Sequence, residues 1–231
     1  MSTLTAASSR ASDLSSVRIK LMVTLFVAQV CGSTGQSIVL AVGSILAASI
    51  TGTNTWSGLP VAVGALGTAL ASWPLSRLMA RSGRRPGLAL GYGLAIIGAL
   101  LGMMGVAVRS FPLMLAGMAL FGIASTSNLL ARYAAADVSP GAQRGRAMGL
   151  IVWGSTIGSM IGPNLMGPAL RLGALLGVES TASAFLVSVG GYALGGLLIQ
   201  IFLRPDPLTI AQRAREIADT GKAAGPARTL G

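Results

Sequence analysis

The sequence contains no histidine, a single cysteine and few charged residues. Of its 231 residues, 10% are charged and 52% are hydrophobic, and the mean hydropathy is +0.73. Soluble domains carry about 25% charged residues, so this composition excludes a soluble enzyme and a disordered protein. Without histidine there is no histidine base, proton relay or histidine metal site. Cys31 alone forms no internal disulfide, and we interpret it as a small packing residue in a membrane protein.

Long stretches without charge predict the membrane spans, because a helix needs about 20 apolar residues to cross the hydrocarbon layer. Residues 21–76 carry no charged side chain, and the polar cluster 51–55, followed by Trp56 as an interfacial anchor, divides them into two spans. The sequence predicts six transmembrane helices, at about 21–49, 57–77, 86–108, 110–131, 147–170 and 180–203. The expected fold class is therefore an all-α membrane protein.

The basic residues predict the orientation. They are concentrated before span one, between spans two and three, between spans four and five, and after span six, whereas the opposite loops carry Arg109 and Arg171. The positive-inside rule then places both termini in the cytoplasm. The expected location of the protein is the cell (inner) membrane, which it crosses several times. The net charge of +11 is mostly this orientation signal. A nucleic-acid partner is not expected, since we find no basic recognition module.

Three regions follow from this pattern. Residues 1–20 form a cytoplasmic N-terminal tail, loose over 1–17, and residues 21–204 form the six-helix transmembrane domain. Residues 205–231 form a cytoplasmic amphipathic helix at about 206–220 and a disordered tail from 221. We expect Asp206 to cap that helix and its weak apolar face to lie along the inner membrane surface.

The loop between spans two and three combines a turn glycine with several arginines. Gly83 permits a tight turn, Pro86 starts the next helix, and the basic residues are Arg81, Arg84 and Arg85. In position and sequence the loop resembles the one between helices two and three of the major facilitator superfamily of transporters. Ala80 and Ser76 replace the family's usual aspartate and leading glycine. The resemblance implies a cytoplasmic gating loop.

Two further segments resemble the same family. In span five Gly154, Gly158 and Gly162 repeat every four residues before Pro163 and Gly167. Such a ridge permits close helix packing, which alone is a sufficient explanation, and the proline bends or loosens the helix. The run is also similar to the family's helix-five glycine–proline motif, known mainly from antiporters.

The third segment, 131–146, resembles the end of helix four and the following loop of bacterial members. It adds Asp137 to the gating residues. The arginine that many proton-driven drug exporters carry earlier in helix four is missing, because that region reads Met118 to Gly122 without a charge. A specific drug-exporter function is therefore not favoured.

The resemblance covers half of the family's twelve-helix architecture, the N-terminal six helices. It implies two inverted three-helix repeats, with spans one and four as equivalent first helices, and a substrate site between two six-helix halves. The polar residues of these two spans share faces at helical spacing. They are the candidates for the substrate cavity: Gln29, Ser33 and Gln36 in span one, and Ser125, Asn128 and Arg132 in span four.

Alternatives remain for these side chains. Serine and asparagine also hydrogen-bond neighbouring helices, and Arg132 either contacts a substrate or gate or extends to the cytoplasmic membrane surface. The acidic residues all lie away from the middle of the membrane: Asp13, Asp137, Glu179, Asp206, Glu216 and Asp219. Coupling therefore resides in a second half, or uses Asp137 at the rim, or is absent.

The predicted function is that of a bacterial permease, which moves a small-molecule substrate across the bilayer by alternating access. A second six-helix half would come from another chain or from a second copy of this one. The alternative is a truncated, non-transporting permease fragment. An enzyme is not expected, since a serine nucleophile lacks a histidine partner and intramembrane carboxylate pairs and metal-ligand clusters are missing. No cofactor is expected either.

Overall fold

The computed structural model describes residues 2–178, 182–204 and 206–209, and of residues 2–16 the backbone alone. Within these ranges the chain forms α-helices joined by short connections, with 3₁₀ turns at Asn54–Trp56 and Gly141–Gln143. The helices are α1 Ser2–Thr51, α2 Leu59–Ser82, α3 Arg84–Ala107, α4 Phe111–Val138, α5 Arg144–Asn164, α6 Met166–Leu176 and α7 Ser183–Phe202.

Six of these helices correspond to the six predicted spans. Among the residues that the structure describes, five segments are both long and apolar enough to cross a membrane, namely Val17–Thr51, Asn54–Ser82, Arg84–Ala107, Phe111–Val138 and Ser183–Phe202. The sixth, α5, has 21 residues and is therefore about 30 Å long, which matches the hydrocarbon thickness. Its glycines, serines and asparagine make it less apolar. The prediction of an all-α membrane protein is confirmed.

The fifth span differs from its prediction, because residues 147–170 are not one helix. α5 ends at Asn164, and α6 begins at Met166 after a break at Leu165. Pro163 has no N–H to donate to the preceding turn. The Leu165 N–H donates to the carbonyl oxygens of Ile161 and Gly162, at 3.2 and 3.0 Å, which closes the end of the helix. The sequence predicted a bend or loosening of the helix at Pro163, whereas in the structure the helix ends one residue later, at Asn164.

The N-terminal segment and the end of span four also differ from the prediction. Residues 1–17 were expected to be loose, yet α1 begins at Ser2 and continues without interruption into the first span. The segment 2–31 contains no glycine or proline to break the helix. α4 likewise continues beyond residue 131 to Val138, so that Arg132 and Asp137 both lie within it.

The described part of the C-terminal segment is a single turn. Asp206 Oδ1 accepts a hydrogen bond from the Leu208 N–H at 2.9 Å, and the Asp206 carbonyl accepts one from the Thr209 N–H at 3.1 Å. This is the geometry of an N-cap. The remainder of the predicted helix at 206–220, and the tail from 221, lie outside the described residues.

The helix contacts repeat with an internal symmetry. The main pairings are α3 with α4, α1 with α5, α2 with α4, α1 with α7 and α3 with α7. Exchanging α1 with α4, α2 with α5 and α3 with α7 turns this set of pairings into itself. Consecutive spans cross in opposite directions, so the first helix of one unit runs opposite to that of the other. This is the arrangement of two inverted three-helix repeats.

Glycines set the closest approaches between the two repeats. A Cβ on Gly122 of α4 would collide with the Gly64 carbonyl of α2. In the equivalent pair, a Cβ on Gly158 of α5 would lie 2.5 Å from the Val30 carbonyl oxygen of α1. Gly154 and Gly162 also face α1, whereas Gly167 in α6 faces open space. The glycine ridge of span five therefore packs against α1 over three of its four predicted positions.

Alanine substitutions in α5 test this packing. We expect Gly158→Ala to destabilise the bundle by about 1–3 kcal/mol, because the new methyl group overlaps rigid backbone of α1. Gly149→Ala, in the same helix, meets nothing within 4 Å and should be neutral or slightly stabilising. Thermal unfolding in detergent measures both. Equal unfolding midpoints for the two variants would contradict close packing at Gly158.

Candidate functional site

A cavity of about 510 Å³ lies beside α1 and α4, with further walls from α2 and α5, and its lining combines apolar surface with a group of polar side chains. We refer to it as the polar cavity. The structure places all six predicted residues along it, namely Gln29, Ser33, Gln36, Ser125, Asn128 and Arg132. Four more polar residues line it that the sequence analysis missed, Ser37 of α1, Thr68 of α2, and Ser155 and Ser159 of α5. A substrate-binding role for these side chains stays a prediction.

A hydrogen-bond network joins α1 to α4 beside the cavity. Gln36 Nε2 donates to Ser125 Oγ at 2.9 Å, and Asn128 Nδ2 donates to Gln36 Oε1, also at 2.9 Å. Asn128 Nδ2 also lies 3.2 Å from the hydroxyl of Tyr192, to which it donates. The Gln36 amide is thereby used as both donor and acceptor, which fixes its orientation. The first helices of the two repeats are thus held together by side chains.

A second group of polar contacts joins α1 to α5. Gln29 Nε2 donates to Ser155 Oγ at 2.8 Å and to Ser33 Oγ at 3.3 Å. Gln29 and Ser33 are almost fully buried. Polar groups in the membrane interior are costly unless they are paired, so these contacts hold the side chains at one edge of the cavity.

Two buried tyrosines support the network from behind. Their rings pack edge to face, with centroids 5.2 Å apart, and the Tyr92 hydroxyl donates to the Ala28 carbonyl at 2.8 Å. A Cβ on Gly32 would lie 2.9 Å from both Asn128 Oδ1 and the Tyr92 hydroxyl, so a larger residue there would have to displace these side chains. The sequence analysis did not select Tyr92 or Tyr192. Both tyrosines lie in the third helix of a repeat, Tyr92 in α3 and Tyr192 in α7. This shared position was the one feature of the sequence that could have pointed to them.

Some polar atoms of the cavity residues have no partner. Within the described part of the chain, Gln29 Oε1, Asn128 Oδ1 and Arg132 Nε are buried and make no hydrogen bond. Leaving such groups unpaired costs about 1–3 kcal/mol each, and more for a charged group.

The cavity has a positive electrostatic character. Arg132 is its charged lining residue, and no carboxylate lines it among the residues that the structure describes. Over the same residues, no group of three or more histidine, cysteine, aspartate or glutamate side chains is placed to hold a metal ion. The described side chains of the cavity can therefore form hydrogen bonds through amide and hydroxyl groups, next to the one guanidinium group of Arg132.

The loop between α2 and α3 lies at the basic end of the bundle, the end that carries Arg18, Arg81, Arg84, Arg85 and Arg146. Gly83 has φ +104°, which permits the sharp turn between the two helices. Arg84 Nε lies 2.8 Å from Asp137 Oδ2 at the end of α4, and both side chains are about four-fifths buried, with 17% and 20% of their surface exposed.

Asp206 makes a second link to this loop. Its Oδ1 accepts from the Arg84 N–H at 3.0 Å and its Oδ2 from the Arg85 N–H at 2.9 Å. Arg85 Nη2 donates to the Gln200 carbonyl and side chain near the end of α7, at 2.7 and 2.9 Å. The carboxylates at this loop therefore come from α4 and from the segment after α7. Arg81 is exposed in the last turn of α2.

The sequence analysis predicted Arg84 and Asp137 as gating residues separately but did not pair them. It assigned Asp206 to the C-terminal segment alone. Asp206 lies more than one hundred residues from the loop that it contacts, and no sequence pattern connects the two. The one available indication was that the first N–H groups of a helix need hydrogen-bond acceptors from elsewhere, which at the start of α3 are the carboxylate oxygens of Asp206.

The comparisons with known proteins agree with this arrangement. A family model described as "Major Facilitator Superfamily" matches residues 25–228. The uncharacterized MFS-type transporter YdeG of Bacillus subtilis (strain 168) is 34% identical over 192 residues, covering 82% of this chain and 45% of the relative. A second B. subtilis protein, the uncharacterized MFS-type transporter YddS, is 31% identical and covers 83% of this chain and 44% of its own length.

A more distant relative is the riboflavin transporter RfnT of Brucella anthropi, 28% identical over 148 residues, with 63% of this chain and 36% of the relative covered. The crystal structure of the human organic anion transporter MFSD10 (TETRAN) superposes with a TM-score of 0.62 at 19% identity, over 82% of this chain and 48% of that one. The chain spans about half the length of the relatives it matches. With its helices, its repeats and these matches taken together, the chain belongs to the major facilitator superfamily.

Proposed function

We propose that this chain is the N-terminal six-helix half of a permease that moves a small solute by alternating access. The observation that carries the proposal is the polar cavity beside α1 and α4, the first helices of the two inverted repeats. In transporters built from such repeats, the substrate binds near the midplane where the two halves meet. The proposal assigns to the chain the movement of a solute and no chemical reaction.

The cavity needs a second wall. Leu40, Val61 and Leu129 line it and are still exposed. A second six-helix half would cover these apolar side chains and close the cavity on its open side. The double length of the relatives supports such a half, supplied by another chain or by a second copy of this one.

The chemistry of the cavity indicates the class of solute. Arg132 supplies a positive charge on the cavity wall, next to the hydroxyl and amide groups of the other polar lining residues. This combination favours a solute with an anionic group and further hydrogen-bonding groups. Two of the similar proteins are, by name, transporters of riboflavin and of organic anions. Of the two roles considered for Arg132, its place on the cavity wall favours solute or gate contact.

The basic end would form the cytoplasmic gate, with both termini on the inner side of the cell membrane. The loop between α2 and α3 is held by Asp137 from α4 and by Asp206 after α7. These contacts join the ends of both repeats and hold the basic end of the bundle together. Because Asp137 is already paired with Arg84, coupling by the second half is favoured over coupling at this rim.

A truncated permease fragment without transport is the second candidate. It is favoured by the open side of the cavity and by the chain's match to less than half of each curated relative. The two candidates differ in assembly and flux, because only a working half must pair with another half and must respond to changes in its cavity.

Labelling of introduced cysteines tests the orientation. In a Cys31→Ser background, Ser82→Cys marks the loop between α2 and α3, and Thr53→Cys marks the connection between α1 and α2. A membrane-impermeant maleimide added to intact cells should label Thr53→Cys and should label Ser82→Cys only after permeabilisation. The reverse pattern would place the basic end outside and contradict the cytoplasmic gate.

Substitution of asparagines tests the cavity. Proteoliposomes containing the chain and any co-purified partner are assayed with radiolabelled riboflavin and with fluorescein as a probe organic anion. We expect Asn128→Ala to reduce uptake at least tenfold, because it removes the contacts to Gln36 and Tyr192. Asn164→Ala, which removes only a bond to its own helix at Met160, should leave uptake unchanged. A strictly monomeric chain without flux would favour the truncated fragment.

A double-mutant cycle tests the link between Arg84 and Asp137. Arg84→Gln and Asp137→Asn should each lower the thermal midpoint in detergent, because each leaves a mostly buried charge without its partner. The double variant should lose less than the sum of the two, with a coupling of about 0.5–3 kcal/mol. Additive losses would show that the pair contributes nothing to closing the basic end.

A further inference from the structure

A second concave surface lies between α1 and α5 near the basic end of the bundle. Its volume is about 840 Å³, and we refer to it as the basic groove. Arg18 of α1 and Arg146 of α5 line its outer part, and Met22, Phe26, Leu150 and Trp153 line its deeper part. The groove ends where α1 and α5 come into contact, since a Cβ on Gly154 would lie 3.2 Å from the Phe26 ring.

The basic groove is separate from the polar cavity. At 3.6 residues per turn, Leu150 and Trp153 project from the side of α5 opposite to Ser155 and Ser159, which line the cavity. A molecule in the basic groove would therefore lie outside the proposed path of the solute.

The two arginines have no acidic partner among the described side chains, where the one ion pair is Arg84 with Asp137. Arg18 is held in place, because its Nε donates to the Val138 carbonyl at 2.9 Å. This leaves its remaining guanidinium donors for another group, and Arg146 is exposed. The mouth of the groove thus carries two positive charges, one on Arg18, which is held in place, and one on Arg146, which is exposed. Their guanidinium N–H groups can donate to a phosphate group.

The apolar side chains follow the arginines at increasing depth. At about 1.5 Å per residue, Leu150 lies about 6 Å and Trp153 about 10 Å beyond Arg146 along α5. On α1, Met22 and Phe26 follow Arg18 by one and two turns in the same direction. Trp153 remains 68% exposed. Charge at the rim and apolar surface below it is the layering of a phospholipid, with its headgroup at the membrane surface and its acyl chain inside.

We propose that the basic groove binds one anionic phospholipid, with its phosphate between Arg18 and Arg146 and an acyl chain along Met22, Phe26, Leu150 and Trp153. The chain's own C-terminal segment is a poorer occupant, because residues 210–231 carry more basic than acidic side chains and so have the same sign as the groove. The membrane itself supplies a ligand of opposite charge, since the cytoplasmic leaflet of a membrane contains anionic lipids.

Native mass spectrometry of the full chain in detergent tests the proposal, with palmitoyl-oleoyl phosphatidylglycerol and phosphatidylcholine as probes. We expect one phosphatidylglycerol to bind at least fivefold more tightly than phosphatidylcholine. Arg146→Gln should weaken phosphatidylglycerol binding about fivefold. Arg171→Gln, which removes an exposed arginine from α6 at the other end of the bundle, is the matched control and should change nothing.

Two further arms distinguish the lipid from other occupants. Trp153→Gln should weaken binding of the phospholipid while both arginines remain, which keeps the test informative even where Arg146→Gln does not fold. Inorganic phosphate should neither compete with the lipid nor raise the thermal midpoint. Equal binding of the two lipids, equal effects of Arg146→Gln and Arg171→Gln, competition by phosphate, or masses that show a second copy in place of lipid would each overturn the proposal.

Discussion

The close approach of helix backbones at glycine is the constraint on which this structure depends. In a bilayer the lipid tails are as apolar as leucine, so helices associate through tight packing and buried hydrogen bonds rather than through burial of apolar surface. Gly122 against Gly64 and Gly158 against Val30 provide this packing at equivalent places in the two repeats. Both approaches bring the second helix of one repeat against the first helix of the other, and the position of the cavity walls follows from them.

The polar contacts are arranged around this packing. Close approach of α1, α4 and α5 lets short side chains reach across, so that Gln36 meets Ser125 and Gln29 meets Ser155. Tyr92 and Tyr192 fill the space behind Asn128. The same residues therefore serve two purposes, since they hold the first helices together and line the cavity beside them.

The sequence predicted what depends on local chemistry. Charge-free length located six helices, because the bilayer imposes that length on each crossing. Helical spacing selected the six residues that the structure places along one cavity. The sequence could not predict contacts between distant segments, such as that of Asp206 with the start of α3 or that of Tyr92 with Tyr192. The helix end at Leu165 was also missed, because a proline in a membrane helix can bend it as well as end it.

The exchange of partners between the repeats has a consequence for biosynthesis. Because α1 packs against α5 and α2 against α4, the helices α1 to α3 leave the ribosome before their principal neighbours. Gln29 and Gln36 then enter the bilayer before Ser155 and Ser125 have been translated. The insertion machinery or water must satisfy these amides in the interval, so the nascent chain has to be sheltered until its fifth crossing is complete.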